Sequence, residues 1–207
     1  MKKKIFIDLG NVLCYFNHAQ RLENMSNAFQ IEAKTLHEMF WESGFDHHGD
    51  QGRYSLDEMC HFIRRQTGST LGNMTIAELW TSAFTLNTEI TEIIQTLAKP
   101  CDRILLTDNS PLVESGISTI FPAIDAYIDE RLFSYHFHDQ KINLSMFQKI
   151  IRRYRCSPSM MLLIDDNPSV LSVAEASGMN TIHYTKLTNH TELKYMLDRF
   201  ITRPSFT

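Results

Sequence analysis

The sequence predicts an α/β protein, a parallel sheet flanked by helices, with a helical block inserted after the first strand. Short apolar runs at Ile5-Phe6-Ile7, Ile104-Leu105-Leu106 and Met161-Leu162-Leu163-Ile164 each lead into polar residues, the pattern of buried strands that end at a ligand-facing edge. Helical periodicity alternates with such runs after residue 102, which favours parallel pairing. Between about residues 16 and 88 helical signals dominate and strand signals are scarce.

Residues 3–8 read as the first strand, ending on Asp8. Leu22, Met25 and Phe29, then Leu36, Met39 and Phe40, keep a helical period and predict two helices. Capping boxes at Ser55–Glu58 and Thr75–Glu78 predict two further helix starts, and Ile90, Ile93, Ile94 and Leu97 another helix. Arg103–Thr107 is a buried-strand run, followed by Ser110-Pro111 as N-cap and first helical residue. One or two short strands are expected over 124–134, and a helix from the Ser145–Gln148 cap to about Arg153. Met160–Asp165 is another strand, its following helix closing at Gly178. Thr181–Tyr184 is the last strand and 191–201 the last helix. The expected division is a core of 1–15 and 89–207 around a helical cap of 16–88.

The 207 residues suit one domain with a modest insertion, and 43% hydrophobic with 21% charged residues excludes a disordered or low-complexity chain. A net charge of -4 supplies no basic field for nucleic acid. Arg152-Arg153-Tyr154-Arg155 reads as a solvated helix end, not a nucleic-acid patch. No 18-residue apolar stretch exists and Ile5-Phe6-Ile7 is too short for a signal peptide, so neither a membrane span nor secretion is expected. Cys14, Cys60, Cys101 and Cys156 match no zinc or redox spacing, so a reduced, cytoplasmic protein is expected, with Cys14 a buried small hydrophobe.

Three strand ends carry the chemistry: Asp8-Leu9-Gly10-Asn11, Thr107-Asp108-Asn109 and Asp165-Asp166-Asn167. A parallel sheet brings these ends together. Asp8, Asp165 and Asp166 near one point would repel one another, and a hard divalent cation with oxygen ligands relieves that repulsion. Such a cation works on phosphate substrates. Thr107 offers a hydroxyl, the helix at Ser110-Pro111 offers free backbone N–H groups, and Lys141 is the candidate cation for the phosphate. Trp41, Phe45, His47, His48 and Tyr54 are expected to pack within the cap or face solvent. His136 and His138, able to share a strand face, lack a third ligand and read as surface histidines.

These residues resemble the four motifs of the haloacid dehalogenase-like (HAD) hydrolase superfamily. Phe6–Leu13, around Asp8, is similar to its nucleophile motif. Leu105–Asn109 is similar to its Ser/Thr motif, Ser134 with Lys141 to its Lys motif, and Leu162–Pro168 to its paired-Asp motif. Asp8-Leu9-Gly10-Asn11-Val12 resembles the branch of glucose-1-phosphate phosphatases and epoxide hydrolase amino-terminal domains, and Gly49-Asp50-Gln51-Gly52-Arg53-Tyr54-Ser55 resembles that branch's cap loop. The resemblance implies a Rossmann-like parallel sheet core with an inserted α-helical cap. It further implies a Mg²⁺-dependent phosphatase of small phosphomonoesters, sugar phosphates among them, acting through an aspartyl-phosphate on Asp8. By the same resemblance, Thr107, Asp108, Asn109 and Lys141 bind phosphate, with Thr107 and Lys141 also catalytic. The metal is held by Asp8, Gly10, Asp165 and Asp166.

The chain departs from the family at Gly10, where phosphatases usually carry a second Asp as general acid/base, at Ile142-Asn143 where Pro-Asp is common, and at Val170, where Asn is frequent. Gly10 and Val170 motivate a second reading, a catalytically degenerate binding or regulatory protein. A third is a 2-haloacid dehalogenase, against which the Asp165-Asp166 pair speaks.

Overall fold

A computed structural model describes residues 2–122 and 124–203. Met1, Ala123 and residues 204–207, within the expected core spans, lie outside the described residues. The chain runs β1 (Lys4–Ile7), β2 (Cys14–Phe16), α1 (His18–Phe29), α2 (Ala33–His37) continued by a π-helical turn (Glu38–Glu42), α3 (Phe45–Asp50), α4 (Leu56–Thr67), α5 (Asn73–Thr81) and β3 (Phe84–Leu86). It continues through α6 (Thr88–Leu97), β4 (Asp102–Thr107), α7 (Pro111–Ile120), α8 (Ile124–Tyr127), β5 (Glu130–Phe133), α9 (Ser134–Phe137) and α10 (Leu144–Tyr154). After a 3₁₀ turn (Pro158–Met160) come β6 (Met161–Asp165), α11 (Pro168–Ala176), β7 (Asn180–His183) and α12 (His190–Thr202).

Five strands form one parallel sheet in the order β5-β4-β1-β6-β7. The chain steps outward from β1 to β4 and β5, then crosses to β6 and β7 on the other side. The carboxyl end of β1 therefore sits at the switch point where open α/β sheets bind ligands. Period-two alternation gives the sheet two apolar faces. Ile5, Ile7, Leu105 and Ile164 join one core that continues into the helical block through Met25, Phe40 and Trp80, while Phe6, Ile104, Leu106 and Leu163 join a second with Phe147 and Leu171.

Five helices, α1–α5, lie between β2 and β3. Their ends are tied together: β2 and β3 pair antiparallel, Cys14 opposite Leu86 and Phe16 opposite Phe84. These two strands correct the expectation of little strand structure before residue 102; at three residues each, they are too short to leave a period-two signature. The block rests on the core through α5 and α7, where Gly116 lets the helices meet: a Cβ there would strike the Ala77 carbonyl oxygen and Thr81 Oγ1.

The Ser55 capping box forms as expected, with Ser55 accepting from the Glu58 N–H and Glu58 from the Ser55 N–H. The Thr75–Glu78 box does not. That helix begins two residues earlier at Asn73, whose side chain donates to Asp57 and accepts from Arg64, fixing the start against α4. Likewise Asn143, not Ser145, is the N-cap of α10, and the Ser145 hydroxyl donates to Asp139 instead. Residues 124–127 are helical, leaving β5 as the strand of that region. His136 lies in α9 and His138 follows it in a left-handed conformation, so the two share no strand. His136 pairs with Glu114. Among the described residues no helix is long and apolar enough to cross a membrane.

Candidate active site

The carboxyl ends of β1, β4 and β6 open into a cavity of about 580 Å³. Asp8 follows β1 directly, held by its N–H donating to the Ile164 carbonyl, 3.0 Å. Asp165 is the last residue of β6, only 1% exposed. Asn167 donates its backbone N–H to one Asp165 carboxylate oxygen, 2.9 Å, and its own side chain caps α11. Asn11 takes a left-handed backbone conformation and donates to Asp166, 3.0 Å, fixing the third carboxylate. One oxygen from each of Asp8, Asp165 and Asp166 lies within 4.8 Å of the others. Three hard oxygen donors so close suit a small divalent cation.

Lys141, 4% exposed, reaches into this group. Its Nζ donates to Asp8 Oδ1 at 2.6 Å and to Asp165 Oδ2 at 2.7 Å. Burial alone would depress its pKa, but Asp8, Asp165 and Asp108 outweigh that and hold it well above the ordinary lysine value. Asp8 goes the other way. Burial pushes its carboxyl up to about 7, Lys141 opposing the rise and Asp165 adding to it. Beside Asp8, burial drives the Cys14 thiol to about 12, so the buried Cys14 is inert.

Thr107 ends β4 and is buried. Its Oγ1 accepts from the Asn109 side chain at 2.7 Å, which leaves the Thr107 proton to donate elsewhere. The Asn109 N–H donates to Ser134 Oγ, joining the ends of β4 and β5. Asp108 turns its carboxylate onto the backbone N–H of Lys141, both oxygens at 3.1 Å, and so positions the lysine. Gly10 lines the same cavity, and a Cβ there would stand 3.9 Å from Asp8 Oδ2. Every site residue expected from the sequence therefore lines one cavity.

The far wall of that cavity comes from the helical block, and sequence reasoning missed most of it. Arg21, Asp46, Asp50, His18 and His37 line it. Trp41 lines it too while packing against Trp80 within the block, and Phe45 is buried as expected, stacked on Phe62. A signal existed for three of these residues. Arg21 falls on the Met25–Phe29 stripe of α1 at steps of four, and Asp46 and Asp50 share one face of α3 at the same spacing.

No family model and no curated protein matches the sequence, but solved structures do. A HAD family enzyme from Bacteroides thetaiotaomicron, in complex with magnesium and inorganic phosphate, superposes with a TM-score of 0.77 over 93% of this chain and 99% of its own, at 21% identity. The chain has the fold of the HAD-like hydrolases. A Porphyromonas gingivalis protein described as a predicted HAD-like family hydrolase matches with a TM-score of 0.77 at 23% identity, covering 96% of this chain and 98% of that one. The L-2-haloacid dehalogenase from Xanthobacter autotrophicus shares the HAD-like fold more distantly, with a TM-score of 0.59 at 12% identity over 95% and 83%.

Proposed function

We propose that the chain is a Mg²⁺-dependent hydrolase of small phosphomonoesters, sugar phosphates among them, and that it works through an aspartyl-phosphate on Asp8. The observation that carries this reading is the Lys141 ammonium shared between Asp8 and Asp165, with the Asp166 carboxylate in the same cluster. The three-carboxylate donor set fits a hard cation. Asp8, Asp166 and the Gly10 carbonyl would hold it, with Asp165 nearby. Bound there, it supplies positive charge against the phosphoryl oxygens.

The chain's own residues then divide the work. An Asp8 carboxylate oxygen attacks phosphorus, and the bond to the leaving oxygen breaks. Lys141, the Thr107 hydroxyl and the Asp108 backbone N–H stabilise the charge on the transferring group. Water then attacks the phosphorus of the aspartyl-phosphate, releasing phosphate and restoring Asp8. We read residues 16–88 as a cap over a core of 1–15 and 89–207, its cavity wall selecting the substrate. The four cysteines are buried and unbonded, which suits a cytoplasmic protein.

A second reading, a degenerate binding protein, draws on Gly10, since no acid stands at the position that faces Asp8. The experiment that separates the two is a screen of small phosphomonoesters with Mg²⁺ and with EDTA. Mg²⁺-dependent phosphate release supports the phosphatase. No release from any ester sinks it and favours the binding protein, and phosphate release undiminished in EDTA overturns the Mg²⁺ dependence.

A further inference from the structure

Arg21 is the most unusual residue of the cavity wall. It is 3% exposed, and its guanidinium carbon lies 5.1 Å from the ring centre of Phe16, 5.3 Å from Trp41, 5.7 Å from Trp80 and 5.9 Å from Phe84. Ring faces attract a cation but satisfy none of its five directional donors. No described carboxylate forms an ion pair with Arg21, and its Nε is buried without a partner. A buried guanidinium left in this state is expensive unless something completes it.

The neighbours define what that something is. Burial lowers the Arg21 pKa to about 10, with Asp46 and Asp50 opposing, so it is a cation at neutral pH. Asp46 lies on the same wall, its carboxyl pushed up by burial with Arg21 opposing. Asp50 faces the cavity, and burial, with Asp46 and Asp108 close by, pushes its carboxyl well above the ordinary range. An anionic group brought to Arg21 would meet these two acids. A hydroxyl would not be repelled, since it accepts from a guanidinium and hydrogen-bonds to an Asp side chain in either protonation state. His18 is neutral, held at about 4 chiefly by burial, with Arg21 and His37 adding to it.

We propose that Arg21 and Asp50 form a leaving-group subsite that reads neighbouring hydroxyls of a polyol phosphate, Arg21 donating to their oxygens and Asp50 hydrogen-bonding to the hydroxyls beside them. This rests on the phosphomonoesterase reading and names its specificity-determining residues. Trp41 supplies an aromatic wall to the same subsite.

The test compares kcat/KM for glycerol 3-phosphate and a hexose 6-phosphate with that for n-propyl phosphate, which leaves as a primary alkoxide without hydroxyl neighbours. Wild type should favour the hydroxylated esters by about tenfold or more, and Arg21→Gln and Asp50→Asn should each carry that ratio towards one. Arg21→Lys keeps a cation among the rings and loses the planar fork, so it should fold and lose the ratio too. A ratio unchanged in all three variants overturns the proposal, as does a wild type that prefers the carboxylated ester phosphoglycolate. An independent readout is the NMR signal of the Arg21 Nε–H during titration with free glucose. A shift in wild type supports the subsite and no shift overturns it. Wild type inert towards aryl phosphates sinks the phosphatase reading alone, because the Arg21 signal still decides the subsite.

Discussion

Gly10 points an empty Cβ direction at Asp8. A Cβ built there meets only Asp8 Oδ2 at 3.9 Å and Phe84 at 4.0 Å, ordinary contact distances, so the position has room for a side chain. Without a carboxyl group there, protonation of the leaving oxygen falls to water or the substrate, and a positioned acid typically contributes about 10²–10⁴-fold. Turnover should therefore fall steeply as the leaving-group pKa rises, aryl phosphates being best and simple alkyl phosphates poorest. Gly10→Asp should flatten that dependence, raising kcat/KM for alkyl phosphates by about tenfold or more while changing aryl phosphates far less. A graded ester series measured on both proteins checks this. A flat wild-type profile with chemistry still rate-limiting would mean that another group delivers the proton.

The elements that set this geometry meet most tightly where α5 crosses α7. Gly116 is required there because the Ala77 carbonyl oxygen and Thr81 Oγ1 occupy the space of a side chain. Thr81 is itself locked by donating to that carbonyl, 2.8 Å. Gly116→Ala should destabilise the protein by about 1–3 kcal/mol, as overpacking does, with the loss read from the urea midpoint. Gly68 is the contrast: its space is open and its cost purely conformational, φ being +69°. At this scale the sequence was informative where a rule is local and cooperative. Apolar strands ending on Asp8, Thr107 and Asp165 were readable because parallel pairing forces their ends together. β2 and β3 were not, since three-residue strands carry almost no period. The false cap at Thr75 arose because Asn73 is committed to Asp57 and Arg64, contacts that local spacing does not encode. Arg21 was missed for a related reason: one cation on an apolar stripe acquires meaning only once four rings from separate segments close around it.

Across the whole molecule the site is a reservoir of unfavourable charge that binding relieves. Burial raises the Asp8 pKa to about 7, so the folded protein keeps a proton that the unfolded chain has released above roughly pH 4. Fewer protons in the unfolded state means that this group costs stability as pH rises from about 4 to about 7. Metal binding needs the ionised carboxylate and must expel that proton below pH 7. The rise in Tm caused by Mg²⁺ should therefore be larger at pH 8 than at pH 6; an equal rise at both would mean that Asp8 is not a ligand. The central claim is that Asp8 carries the phosphoryl group, and acid-quenched single turnover of an aryl phosphate with Mg²⁺ tests it most directly, by mass spectrometry of the peptide containing Asp8. The account predicts a phosphoryl adduct on Asp8 in wild type, absent in Asp8→Asn together with all turnover; phosphate release that continues in Asp8→Asn would contradict it.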